Sequence, residues 1–489
     1  MRISTQETVL AAPTGKRRVI SIFVLAMLNV AIMASLRNLP LVASYGLSAL
    51  VFFAIVAIFF LVPSALVSAE LATGWSKGGG VYVWVREALG DRWGFFAIWM
   101  QWVHNVAWYP VILSFVATTL AYVFNPELAE NKVFVVLIVL FSFWGMTLLN
   151  YLGLETSSWF STIGVIMGTI LPGLLIITLG VTWIASGNPS NTPISFEAVI
   201  PSIRDIGDLV FLAGLFLAFT GLEVSSAYAS RVQNPQKNYP KSIILAAILT
   251  FTVFMLGSLA IAIVIPKGDI SLAAGLMEAF SQFFSYYNLQ WILPIVGILL
   301  VIGAIAEVNA WIVGPVQGLY ATTNHGNLPP LFHKLNKRGV PTNLLWFQGI
   351  IVSITSLVIL ELPSISASFW ILSAMSAQIY LVMYIMMFIA AIRLRYTKPH
   401  VPRAYKVPYG SKGIWILSVF GVIACTFVIL LGFWPPAQID VGSIVFYELF
   451  LIGGLVIMSA IPLVIHAFRK PSWQIEVKKM DKETHQNVD

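Results

Sequence analysis

Ionisable side chains are scarce in this sequence, and the few embedded in long apolar runs are the ones that could do chemistry. Glu223 follows Thr220-Gly221-Leu222 just after the apolar run Leu209 to Ala218. A stripe of small residues (Ser225, Ser226, Ala227, Ala229, Ser230) then leads to Arg231 and an Asn-Pro pair. Glu307 lies inside another apolar run, four residues before Trp311, and Arg37 interrupts a third, in Ser35-Leu36-Arg37-Asn38-Leu39-Pro40. Hydrocarbon can satisfy neither a charge nor loosened backbone, and an arginine at membrane depth costs at least ~3 kcal/mol on insertion scales. These groups should therefore face protein or water. Proline removes a donor and disfavours helix at the residue before it, so a break near Asn38–Pro40 is expected. A second break at Thr220–Gly221, if it lines a polar cavity, offers amides from one half-helix and carbonyls from the other to a bound solute. The alternative is a kinked packing helix whose Glu223 pairs with a neighbour.

Other chemistry-bearing residues are weaker signals. His104, Asn105, Trp108 and Tyr109 stand just before Pro110, and Tyr380 and Tyr384 stack on one helical face at i and i+4. A lone membrane histidine is more often hydrogen-bonded structure than a ligand, and no second histidine stands at metal-binding spacing. The single cysteine, Cys425, sits in an apolar run and offers no disulfide or thiolate cluster. Gly78-Gly79-Gly80 lacks the GK[ST] of a phosphate loop, and no HExxH or GxSxG motif occurs. No enzyme activity, cofactor or metal is expected.

The elements that must position these residues are membrane helices. Of 489 residues, 58% are hydrophobic and 10% charged, with mean hydropathy +0.86, a balance no soluble domain has. Apolar runs long enough to cross ~30 Å of hydrocarbon recur about twelve times. They fall near 19–41, 47–69, 94–124, 133–152, 159–184, 209–230, 242–265, 291–320, 344–362, 369–394, 414–434 and 446–468. Residues 70–93 read as a loop, residues 186–208 as a polar linker. Residues 269–287, with Leu272, Leu276, Phe280, Phe283 and Phe284 on one face, read as an interfacial amphipathic helix. Gly164, Gly168 and Gly173 mark the fifth span for close helix contact. With both termini cytoplasmic, 24 of the 28 Lys and Arg fall on that side, three on the other, and Arg37 within the membrane. The net charge of +7 is thus a topology signal and not a nucleic-acid footprint.

Breaks in spans one and six, five spans apart, point to an inverted repeat with its site between them near mid-membrane. The expected division is a tail (1–18), a first repeat (19–185), a second repeat (207–394), helices eleven and twelve (413–468) and a second tail (469–489). Half-helix amino ends favour a carboxylate, while an ammonium wants carbonyls or a buried anion; an amino acid needs both.

Several stretches resemble the amino acid–polyamine–organocation permeases, and most of all the bacterial glutamate/γ-aminobutyrate antiporters. They are Ala69-Glu70-Leu71-Ala72-Thr73, GGGVYVWVREALGDRWGF (78–95), GLE (221–223) with NPQKNYP (234–240), VIPKGDISLAAGLMEAF (264–280), AEVNAWIVGP (306–315) and LPPLFHKLNKRGVP (328–341). The resemblance implies an all-α, LeuT-like five-plus-five fold that exchanges amino acids by alternating access in a bacterial cytoplasmic membrane. Its partners would be small-molecule amino acids and membrane lipids, with no nucleic acid; the sequence leaves a homodimer open. By position, Glu307 matches a site-facing glutamate of that subgroup, Tyr380 and Tyr384 its paired tyrosines, and Glu223 a glutamate tied to proton sensitivity. Arg37 stands where those antiporters have a tyrosine, Arg231 where an acid is common, and the tail after Phe468 is shorter than theirs.

The expected substrate-binding set is Ser35, Leu36, Arg37, Asn38, Asn105, Trp108, Thr220, Gly221, Leu222, Glu307, Tyr380 and Tyr384, with Glu223 and Glu307 as proton-coupling groups. Arg37 reads equally as a cation for an acidic substrate or as a salt-bridge partner of Glu223 or Glu307. The tyrosines read equally as ligands or as packing. The runner-up function is a cationic amino acid or polyamine exchanger, or a proton-coupled uptake permease.

Overall fold

A computed structural model describes residues 21–33, 35–75, 80–152, 164, 166–224, 234–403 and 405–474. Among these the protein is helical without strands; an isolated bridge joins Leu335 to Pro341. The helices are α1 (Ile22–Met33), α2 (Leu39–Ala43), α3 (Gly46–Gly74), α4 (Gly80–Leu89), α5 (Asp91–Phe124), α6 (Lys132–Tyr151), α7 (Ile166–Ala185), α8 (Leu212–Ala218) and α9 (Pro235–Val264). They continue with α10 (Gly275–Tyr286), α11 (Leu293–Tyr320), α12 (Thr342–Glu361), α13 (Ile365–Thr397), α14 (Gly410–Leu431) and α15 (Ile444–Ala467). Eleven described segments are long and apolar enough to cross a membrane, and α1 with α2 forms a further, interrupted one. The result is an all-α membrane protein.

Both expected breaks are present. After α1 the chain is extended at Ser35 (φ −87°, ψ 111°), turns once as a 3-10 helix over Leu36–Asn38 and resumes as α2. Pro40 does not sit in the gap, as the sequence reading has it. It occupies the first turn of α2, where its missing N–H costs nothing. In the other break, α8 ends at Ala218 and the backbone reaches φ +105° at Gly221, a conformation that favours glycine. One tight turn then covers Leu222–Val224.

Two expectations need correction. The stretch 70–93 is not one loop: α3 runs on to Gly74, and Gly80–Leu89 is a helix that buries Val81, Tyr82, Trp84, Val85 and Ala88. Its apolar residues recur at helical spacing, but at ten residues it is too short to stand out. The amphipathic helix begins at Gly275, after a 3-10 turn at Lys267–Asp269, and buries Leu276, Phe280, Phe283 and Phe284. Gly78, Gly79, the start of span five, Ser225–Ser230, Arg231 and both far tails lie outside the described residues.

Helices α5 and α13 form the centre and are buried along most of their length; α15 shows nearly all of its surface to the outside. Large apolar side chains project outward, including Phe141 (80% exposed), Val445 and Ile423. In water each would forgo roughly 25 cal/mol per Å² of burial, so this surface is made for hydrocarbon. Small residues let helices touch: a Cβ at Gly168 would lie 2.3 Å from the Gly303 Cα, which holds α7 directly against α11. Leu41 of α2 packs over Gly214 of α8, joining the two interrupted helices.

Candidate functional site

The two breaks meet at a buried cavity of about 20 Å³, room for little more than one water molecule. Ser35, Arg37 and Asn38 enter from the first break, Leu217 and Thr220 from the second, His104 and Trp108 from α5, Glu307 and Trp311 from α11, and Tyr380 from α13. Two half-helices thus face long, continuous helices that hold the aromatic and acidic side chains in place.

Arg37 is 2% exposed, and its Nε and Nη1 are buried without a hydrogen-bond partner. Its guanidinium lies 5.5 Å from the Trp108 ring centroid and 5.9 Å from that of Phe369, distances at which aromatic faces attract a cation. No contact within salt-bridge distance joins Arg37 to Glu223 or Glu307 among the described residues, although Arg37 and Glu307 share the cavity wall. Glu307 shares the cavity wall with Ser35 and Arg37 and feels the charge of Arg37.

Glu223 is set behind the wall and is held by three donors. Gln101 Nε2 reaches its Oε1 at 3.1 Å, Tyr380 also donates to Oε1, and Tyr384 donates to Oε2. The Tyr384 hydroxyl in turn accepts from the Gly221 amide at 2.8 Å, so the unwound backbone is fastened to α13 through one phenol. Tyr380 both lines the cavity and touches Glu223, which makes it the direct link between the two.

Of the residues expected to bind substrate, Ser35, Arg37, Asn38, Trp108, Thr220, Glu307 and Tyr380 line the cavity, while Leu36, Asn105, Gly221, Leu222 and Tyr384 do not. Leu36 packs against Gly173 of α7. Asn105 returns its Nδ2 to the Gln101 and Trp102 carbonyls of its own helix. Gly221 and Tyr384 belong to the layer that supports Glu223.

Sequence reasoning passed over three members of the arrangement. His104, read as structural, lines the cavity and stacks on Tyr380 at 3.8 Å with ring planes 8° apart. Trp311 meets His104 edge-on at 5.6 Å. Gln101, one turn before Asn105, donates to Glu223. The i, i+3 and i, i+4 spacing of Gln101, His104, Asn105 and Trp108 on one apolar helix was a usable signal.

The arrangement can bind a small polar solute with both anionic and cationic parts; the described residues contain no cluster of three or more His, Cys, Asp or Glu able to hold a metal. Residues 18–456 match the family model described as amino acid permease. An uncharacterized transporter of Legionella pneumophila is 42% identical over 91% of this chain and 96% of its own length. A glutamate/gamma-aminobutyrate antiporter of Lactococcus lactis is 30% identical over 91% and 90%, and a probable agmatine/putrescine antiporter of the same species is 25% identical over 90% and 92%. The matched family model spans nearly the whole chain, and on that ground the chain belongs to the amino acid permease family.

Proposed function

We propose that this protein is an amino acid antiporter that works by alternating access in a bacterial cytoplasmic membrane, with both termini cytoplasmic, and that it prefers substrates bearing a side-chain carboxylate. The single observation behind this preference is Arg37, a buried guanidinium with two unpartnered nitrogens in the wall of a cavity between two broken helices. A buried cation costs least when an anion meets it, and a bidentate carboxylate fits its planar fork. The backbone at Ser35–Asn38 and Thr220–Gly221 would hold the α-carboxylate and α-ammonium, and Glu307 would add an anion for the ammonium. The glutamate/gamma-aminobutyrate antiporter among the relatives supports the same substrate class.

The helices before and after the polar linker would form two inverted repeats, moving relative to each other as the site opens. Such opening is needed, because the closed cavity is far smaller than an amino acid. Glu223 and Glu307, carboxylates buried beside the two breaks, are the proposed proton-coupling groups. Exchange in liposomes should accelerate on acidification, with the step displaced in Glu223→Gln or Glu307→Gln; a flat profile removes that part of the proposal. No catalysis is proposed.

A counterflow panel tests the substrate class. Liposomes preloaded with glutamate or aspartate should accelerate labelled uptake more than those preloaded with neutral or cationic amino acids. Acceleration by amines alone would instead favour the cationic or polyamine exchanger, for which Glu307 in the cavity and the agmatine/putrescine relative speak.

A further inference from the structure

A second cavity, of about 500 Å³, lies far from the broken helices, between the end of α6 and the start of α12. Lys334, Lys337 and Arg338 line it, with Tyr151, Asn343 and Trp346. The three basic residues ride on a fixed scaffold. A hairpin closes through the Leu335–Pro341 bridge and the Thr342 N–H to Lys334 carbonyl bond of 3.1 Å, and it turns at Gly339 (φ +74°). Asn336 stiffens it, accepting from the amides of Arg338 and Val340 and donating its Nδ2 to the Tyr151 carbonyl at 2.6 Å. The hairpin is thereby fastened to α6.

The charges on this hairpin are unbalanced. No acidic residue occurs between Glu307 and Glu361, and among the described residues none of the three cations forms an ion pair. All three are exposed. Directly beneath them Trp346 packs with Trp144 (5.3 Å) and Tyr151 (6.4 Å), the amphipathic aromatic rings that settle at a membrane–water interface. From Trp346 (47% exposed) an outward apolar stripe continues down α12 through Ile350, Ile354 and Leu357. The order along α12 is therefore cation cluster, aromatic ring, apolar stripe.

That order is complementary to one molecule, and we propose that this cavity binds the headgroup of an anionic phospholipid from the basic-side leaflet, with an acyl chain along the α12 stripe. The phosphodiester would sit among Lys334, Lys337 and Arg338, and the glycerol region beside Trp346. Basic pockets between membrane helices on the cytoplasmic side suit such headgroups. The proposal rests on the orientation given above but not on the substrate.

Native mass spectrometry of the full chain in detergent, titrated with phosphatidylglycerol or phosphatidylcholine of the same acyl chains, tests it. Phosphatidylglycerol should bind with one site of higher affinity. The triple variant Lys334→Gln/Lys337→Gln/Arg338→Gln should weaken that site on the order of a hundredfold, given the attraction of each cation near an anionic surface. Lys334→Arg/Lys337→Arg, which keeps the charge, should retain it, and this distinguishes loss of charge from loss of fold. Equal binding of the two lipids, or unchanged binding by the triple variant, would overturn the proposal. So would displacement of the lipid by millimolar inorganic phosphate, which would mark a site for the free ion.

Discussion

Among the described residues, two places bury charge, and they do so in different ways. At the end of α3, Glu70 is 2% exposed and answered from every side. Arg395 Nη2 lies 2.6 Å from its Oε2, Arg403 Nε 3.6 Å from its Oε1, and the Val407 amide donates to Oε2 at 2.8 Å. Arg403 also donates to the Leu394 and Lys398 carbonyls and lies over the Trp75 ring. Between the broken helices, Arg37 is equally buried but faces a cavity with two nitrogens unanswered. Glu70, met by two arginines and a backbone amide, holds the α13–α14 connection against α3, although the Arg395 Nε is itself left without a partner. A guanidinium with two nitrogens left without hydrogen bonds carries a cost that a visiting anion can reduce.

The comparison predicts different failures. Glu70→Ala leaves two buried guanidinium groups uncompensated and should destabilise by ~3–5 kcal/mol, seen as loss of folded protein or a sharp fall in Tm in detergent. Wild-type stability in that variant would break the contrast. Arg37→Gln should leave folded yield intact yet weaken exchange of carboxylate-bearing substrates about 10- to 100-fold, the worth of a charge-assisted hydrogen bond, while neutral amino acids are less affected. If its yield collapses as in Glu70→Ala, the two sites are alike after all.

Gly221→Ala sharpens the picture at the break. A side chain at φ +105° adds strain of ~1–3 kcal/mol, and the Gly221–Tyr384 contact should loosen with it, lowering both Tm and exchange rate. The smallest effect is expected at Glu278 on α10, which burial pushes above the ordinary carboxylate range although Tyr122 hydrogen-bonds to it. Its charged form is disfavoured only in the folded state, so stability should decline as pH rises from the ordinary carboxylate range through the raised value. Glu278→Gln should flatten that decline in a Tm-against-pH series.

What the sequence revealed follows from local chemistry. Arg37 near Pro40, and Gly221 beside Glu223, announce interrupted helices because hydrocarbon can satisfy neither a charge nor loosened backbone. The partners of each charge were hidden, because pairing across the bundle leaves no trace in spacing: Glu70 and Arg395 stand 325 residues apart. The same limit left Arg37 undecided between salt bridge and open cation, and it concealed that Tyr384 serves Glu223 and the Gly221 amide while Tyr380 reaches the cavity. His104 was discounted because a single histidine has no pattern, whereas its stacking on Tyr380 exists only in three dimensions.

The near-vanishing volume between the broken helices has a consequence for bookkeeping across the membrane. On the proposed function, a carrier that returns vacant would close around a guanidinium with two unpartnered nitrogens, whereas one that returns loaded would close around one met by a substrate carboxylate. On that reading the vacant crossing should then be the slower one, which would favour exchange over net flux.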